Sequence, residues 1–235
     1  MKISLAKKLS ALSLSLALVA VWSPDALAKK KKKKAGKTPQ VMTGTLDDGK
    51  LVTSWFSPDG LAFVETDEVD YFWAREGFSL DGQSFHFETW PEHEFLAEAA
   101  EERDENDHRL ARQMNSDMAR SFSDVLGRVF GDRATTSTTE GDILVEGRIV
   151  DCSTGNTAAK MFVGFGAGAG YTTIDLKFTD QSSGELVAAV HHRVVSGTTW
   201  STTDSKFFKW IKKMGNALEE DDFGGVYRDG DPVKE

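Results

Sequence analysis

The chain has 235 residues, with 28 Lys and Arg against 37 Asp and Glu, a formal net charge of −9. A single cysteine excludes a disulfide scaffold, and 40% hydrophobic residues exclude wholesale disorder and supply a core for one ordinary domain. Net acidity argues against nucleic acid as a partner of the body of the chain.

The first 28 residues read as an address. Lys2, Lys7 and Lys8 form a basic start, Leu9 to Trp22 is an apolar run, and Ser23-Pro24-Asp25 breaks it before Ala26-Leu27-Ala28. The run is shorter than the roughly 20 residues a bilayer core requires. Basic, apolar and small residues in this order make a secretory signal peptide cut near Ala28, with a periplasmic or secreted product. No cysteine for acylation and no twin arginine accompany it.

Directly behind the cut, Lys29, Lys30, Lys31, Lys32, Lys33, Lys34 and Lys37 form a cationic arm within 29–40. Positive charge opposes translocation. A second reading therefore stays open, in which residues 9–22 remain as an uncleaved inner-membrane anchor and the body faces the cytoplasm. Each Lys near an anionic lipid surface contributes on the order of 1 kcal/mol, screened by salt. The arm is thus a candidate contact for anionic lipid, for another envelope polyanion or for the protein's own acidic body. The plainer alternative is a disordered solubilising arm. Residues 38–235 carry 18 Lys and Arg against 36 Asp and Glu, so a strongly acidic body follows a short cationic arm.

Residues 41–66 are expected to form a small β-meander. Its runs are Val41 to Leu46, Leu51 to Phe56 and Leu61 to Thr66, joined at Asp48-Gly49 and at Pro58-Asp59-Gly60. Residues 67–220 follow as an α+β domain. Tyr71 to Arg75 and Ser84 to Thr89 are strands on either side of Asp81-Gly82. A helical pattern then runs from Glu92 to Phe130, with Leu110, Met114, Met118, Phe122, Val125 and Val129 as its apolar stripe. The charged stretch Glu101 to Asp107 makes that helix bulge or break, and Gly131 ends it. Ile143 to Asp151, Tyr171 to Thr179 and Leu186 to Val195 are strands. A last helix spans about Thr203 to Glu220, with Phe207, Phe208, Ile211, Met214 and Leu218 as its inner face. The tail 221–235 is acidic and expected to be flexible. The expected architecture is a two-layer sandwich, a mostly antiparallel sheet with two amphipathic helices on one face, behind the meander.

Chemistry-bearing motifs are scarce. Gly164, Gly166, Gly168 and Gly170 fit no G-x-G-x-x-G register and precede a strand rather than a helix, so a Gly-rich lead-in to that strand is favoured over a ligand loop. His93-Glu94 lacks the second histidine of H-E-x-x-H, because Ala97 occupies that position. His191 and His192 are strand neighbours and must face opposite ways. Cys152 reads as a small, half-buried residue, although a free or bridged thiol is the alternative in an oxidising compartment. The acidic groups at 67–70, 104–107 and 219–222 fit no calcium loop and read as solvated faces. No metal, cofactor or catalytic residue is assigned. A hydrolase without a recognisable motif remains the alternative, and it requires His86, His191 or His192 to meet carboxylates in a pocket.

The stretch Ile143-Leu144-Val145-Glu146-Gly147-Arg148-Ile149 is followed by Gly155, Ala158-Ala159-Lys160 and Val163-Gly164-Phe165-Gly166-Ala167-Gly168. Then come Thr173 to Phe178, Asp180 and Ser183-Gly184-Glu185. This pattern resembles an uncharacterised family of bacterial envelope proteins known as a domain of unknown function. The resemblance is strongest from Ile143 to Val190 and extends loosely from Val69 to Leu218. It implies an exported or lipid-anchored α+β domain without an assigned activity. The expectation is an exported, non-enzymatic binding or assembly module of the cell envelope.

Overall fold

Alternating apolar and polar residues produce strands buried on one face, and the computed structural model shows what lies over each face. It describes residues 40–66, 68–155, 170–195, 203–220, 222–223 and 231–232. In chain order the strands are β1 (Thr45–Leu46), β2 (Leu51–Val52), β3 (Val64–Glu65), β4 (Tyr71–Ala74) and β5 (Ser84–Phe87). After the helices α1 (Ala99–Glu102) and α2 (Glu105–Phe130) come β6 (Thr135–Ser137), β7 (Ile143–Ser153), β8 (Tyr171–Asp180) and β9 (Leu186–Val195). Helix α3 (Thr203–Glu219) and β10 (Asp231–Pro232) complete the set. β1 and β2 form a hairpin of their own. The remaining strands form one sheet in the order β10-β3-β4-β9-β8-β7-β5-β6.

The sheet is mostly antiparallel, and the exception is β5, which runs parallel to both β6 and β7. β4 and β5 are consecutive in sequence but do not pair, since β4 joins β9 on one side and β5 joins β7 on the other. The α+β architecture with two main helices on one face is therefore present.

The helical pattern from Glu92 divides at a capping box. Asp104 accepts from the backbone N–H groups of Asn106 (2.8 Å) and Asp107 (3.1 Å), and the Asp107 carboxylate accepts from Asp104 N–H. Arg103 is extended there, so α1 stops and α2 starts afresh. Residues 92–98 are not helical. Leu96 N–H donates to the Val150 carbonyl at 2.9 Å and ties this stretch to the sheet.

Met114, Met118, Phe122 and Leu126 of α2 and Phe207, Ile211, Met214 and Leu218 of α3 pack on one sheet face, against Val145, Ile149, Ile174, Leu176, Phe178 and Val190. Each such buried side chain contributes roughly 1.5–3 kcal/mol. Three expected core positions differ, and one of them, Leu110, is only partly buried. Phe208 is 47% exposed, and Trp210 takes the inward place instead, with its indole N–H donating to the Glu68 carbonyl at 2.8 Å. Val129 is only partly buried, and Leu126 fills the core beside it.

The other sheet face is also covered. Met42, Leu51, Phe56, Leu61 and Phe63 pack there with Ala189, flanked by Trp55, Tyr71, Trp73 and Leu186. The stretch 41–66 is thus a cover rather than a free-standing three-stranded meander. Its first two runs make the β1–β2 hairpin, a short 3-10 turn occupies Thr53–Trp55, and Met42 bridges Leu61. The third run leaves the cover, because Val64–Glu65 pairs with β4 and β10.

The acidic tail is not loose throughout. Phe223 is buried against Phe78 and Phe85, and Asp231–Pro232 pairs with β3, since an aromatic ring and a strand edge each gain more by packing than by solvation. No helix among the described residues is long and apolar enough to cross a membrane.

Candidate functional site

The covered face carries a dense set of charges among the described residues. Period-two alternation sends Arg148 on β7, Asp175 and Lys177 on β8 and His191 on β9 to this side, and the pairing register puts Arg148 opposite Asp175 and Asp175 opposite His191. Asp175 is fully buried. Its Oδ1 is 2.6 Å from His191 Nδ1, and its Oδ2 accepts from Arg148 Nε at 2.8 Å. The other imidazole nitrogen of His191, Nε2, is 3.1 Å from Asp47 Oδ2, on the loop of the covering hairpin. Burial works against a charge on His191, but its hydrogen bonds to Asp175 and Asp47 and their negative charges outweigh that, raising its pKa to about 9. The hydrogen bond to His191 in turn lowers the pKa of Asp47, against the opposing effect of burial.

Trp55 closes the cluster from above. The Arg148 guanidinium lies 4.4 Å and the Lys177 ammonium 4.9 Å from its ring centroid, and Lys177 also pairs with Glu146 at 2.8 Å. Beside it, buried Asp151 accepts from Arg103 Nε at 3.0 Å. Arg103 donates to the Tyr171 hydroxyl at 2.5 Å, and the Arg193 guanidinium stacks 3.6 Å from the Tyr171 ring centroid. A cleft of about 410 Å³ opens here, lined by Lys50, Glu98, Glu102, Arg103 and Tyr171 among others.

Chemically the cluster is a clasp. Both nitrogens of His191 are held by carboxylates, so its ring has no lone pair to accept a substrate proton and its charge is compensated on both sides. It joins the cover to the sheet through the half-buried His191–Asp47 contact, above the buried pairs that Asp175 makes with His191 and Arg148.

The remaining histidines go elsewhere. His192, on the helix-facing side, stacks on Trp210 with centroids 4.6 Å apart and lies 3.1 Å from Asp70. His93 Nε2 is 2.8 Å from His108 Nδ1, and burial, then the charge of His108, lowers the pKa of His93. His86 sits half-buried on β5. Among the described residues no group of three or more His, Cys, Asp or Glu is arranged to hold a metal ion.

Cys152 is fully buried rather than half-buried, and burial pushes its thiol up to about 12. The acidic groups are more than solvated faces. Asp107 accepts from Thr154 N–H at 2.6 Å, and Asp222 accepts from Leu80 N–H at 3.1 Å. Arg133 ties Asp81, Glu219 and Asp222 together. Short acids satisfy backbone donors that the turns leave unpaired, which a charge count alone does not reveal.

The cationic arm, Lys29 to Lys34 and Lys37, lies outside the described residues, as do Gly164, Gly166 and Gly168. Gly170 is described. A Cβ there would stand 2.9 Å from the Ser153 carbonyl oxygen and 3.0 Å from that of Thr154, so only glycine fits this approach of two backbones. The Glu146-Gly147 pair has a similar explanation. Glu146 holds Lys177, and a Cβ at Gly147 would stand 2.1 Å from the Trp90 ring that lies across it. In Asp180-Gln181-Ser182-Ser183-Gly184-Glu185, Asp180 Oδ1 caps the turn by accepting from the N–H groups of Ser182 and Ser183, and Glu185 pairs with Arg75.

On the helical side a second feature emerges that the sequence pattern missed, because Phe208 falls at core spacing. A groove of about 520 Å³ separates the outer edges of α2 and α3. Val125, Val129 and Phe208 line it together with Arg128, Lys209 and Lys212.

Residues 74–199, just over half of the chain, match the family described as Domain of unknown function (DUF4410), and the chain belongs to that family. The match encloses the whole of Ile143 to Val190. No curated protein matches the chain. Among solved structures it is similar to the PelC dodecamer from Paraburkholderia phytofirmans, at 11% identity over 63% of this chain and 95% of that one, with a TM-score of 0.42. A single-substitution variant of that dodecamer matches at 12% identity over 63% and 94% of the two chains, with a TM-score of 0.40. A protein from Xanthomonas campestris matches at 14% identity over 43% and 57%, with a TM-score of 0.28.

Proposed function

We propose that this chain is an exported protein of the cell envelope and acts as a non-enzymatic binding or assembly module. The observation that carries the reading is the state of His191. Among the described residues His191 meets two carboxylates, is fully buried and has both ring nitrogens hydrogen-bonded, which supports cohesion over proton transfer as the role of this constellation. Export is supported by the basic start, the apolar run Leu9 to Trp22 and Ala26-Leu27-Ala28. The contact groups are then the cations left at the surface: the arm of Lys29 to Lys34 and Lys37, directed at anionic lipid or another envelope polyanion, and the basic groove on the helices.

Cell fractionation with mass spectrometry of the N-terminus tests export. The expected product begins near Lys29 and is found outside the cytoplasm, and Met1 retained on a cytoplasmic protein would overturn the reading. A panel of chromogenic ester, phosphate and glycoside substrates tests the second half. Wild type and His191→Gln should both remain at background, and turnover that the substitution abolishes would establish an enzyme.

A further inference from the structure

We propose that the groove between α2 and α3 is a docking face for an anionic lipid surface. Phe208, Lys212 and Asn216 are four residues apart in succession and Lys209 precedes Lys212 by three, so all four stand on one side of α3. That side faces away from the core and borders the groove, with Val125, Arg128 and Val129 of α2 opposite. Phe208 is 47% exposed, one of only three large hydrophobic residues so exposed among the described residues. The groove thus has apolar walls and three cations at its margin.

Charge gives the partner. Residues 38–235 carry 36 acids against 18 bases, yet α3 holds four lysines (206, 209, 212 and 213) against Asp204 and Glu219. Exposed acids exist on α2, Asp117 and Asp124, but among the described residues no acid lines the groove. Arg128, Lys209 and Lys212 form no ion pair among the described residues, whereas Lys213 pairs with Glu68 at 3.1 Å. An unpaired cationic margin around an exposed aromatic ring is the pattern of a helix lying in a lipid interface. There the ring enters the head-group boundary while the cations meet anionic head groups. An acidic protein matches the charge as well. The lipid surface is favoured because the seven lysines at 29–37 have the same sign, and one extended anionic surface can take both sets of cations without a second recognition site. The proposal deepens the binding-module reading, and its chemistry is testable apart from export.

The test uses the mature chain with its arm intact, on vesicles of phosphatidylglycerol in phosphatidylcholine and of phosphatidylcholine alone. A nitroxide placed by Phe208→Cys reports on the groove, and one placed by Asp59→Cys reports on the exposed tip of the cover, on the other sheet face. Buried Cys152 does not compete for the label. On the anionic vesicles the label at 208 should become shielded from a water-soluble relaxation agent, while the label at 59 stays accessible. The triple substitution Arg128→Glu, Lys209→Glu and Lys212→Glu should weaken low-salt binding roughly tenfold or more, with unchanged thermal stability. Binding with both labels still accessible would assign the contact to the arm alone and overturn the proposal. So would unchanged binding by the triple variant, or equal binding to neutral vesicles. Shielding of position 208 without vesicles would overturn it in favour of a second copy of the chain. A retained Met1 refutes export and leaves the vesicle result standing, and a failed vesicle experiment leaves export standing.

Discussion

His191 Nδ1 and Asp175 Oδ1 lie 2.6 Å apart, and neither side chain is exposed to solvent. With Arg148 on the far oxygen of Asp175 and Asp47 on the far nitrogen of His191, positive and negative groups alternate from the sheet into its cover. Taking charges out of water is costly, so the row is stable only while each member keeps its partner.

This arrangement makes stability fall at alkaline pH. The folded-state value of His191 is raised to about 9 from an ordinary value of 6.5. Its contribution is therefore fully present below about pH 6.5 and is lost as pH rises through about 9. Breaking the buried pair by His191→Gln should cost about 3 kcal/mol at neutral pH. The difference in Tm between wild type and variant should shrink between about pH 7 and pH 10. A difference that stays constant across that range would show that the imidazolium charge contributes nothing.

Gly147 seats Trp90. Gly147→Ala places a methyl where the indole lies, and overpacking of this kind costs about 1–3 kcal/mol. Chemical denaturation should show the loss, and near-ultraviolet circular dichroism should show a displaced tryptophan. Wild-type stability in the variant would mean that Trp90 has another place to go.

Cys152 should be inert. Its thiol is fully buried and pushed up to about 12 by burial, so the thiolate is scarce at neutral pH. A chromogenic thiol reagent should label no cysteine in the native protein and one after denaturation. Rapid labelling of the native state would contradict the packing around it.

The arm should act independently of the fold. Deleting residues 29–37 removes seven lysines, which should reduce low-salt binding to anionic vesicles and leave Tm unchanged. Equal binding before and after deletion would rule out the arm as a contact.

The long strands were legible because Thr173 to Phe178 alternates without interruption, and the helices because Met114 to Val125 keeps a helical spacing. Pairing was less so. β4 and β5 read as neighbours around Asp81-Gly82, yet β5 lies parallel to β7, a partner some 58 residues away, and nothing local in Ser84 to Phe87 encodes that. The same holds for Asp47. In sequence it is a turn acid beside Asp48 and Gly49, while its partner His191 lies 144 positions on. Phe208 misled for a different reason, since one apolar residue at core spacing looks identical whether it faces a sheet or a groove.

The cover over the second sheet face has a consequence for assembly. Residues 42–63 are made before β7, β8 and β9, so this segment is synthesised early and seated late. Closing contacts across so long a stretch of chain is slow. During that interval the face below stands open, and an apolar surface there would invite association with other chains. Arg148 opposite Asp175 and Glu146 opposite Lys177 instead pair their charges within the sheet itself. That charged part of the waiting surface remains wettable until the hairpin brings Asp47 down onto His191, while Tyr71, Trp73 and Leu186 beside it await their cover.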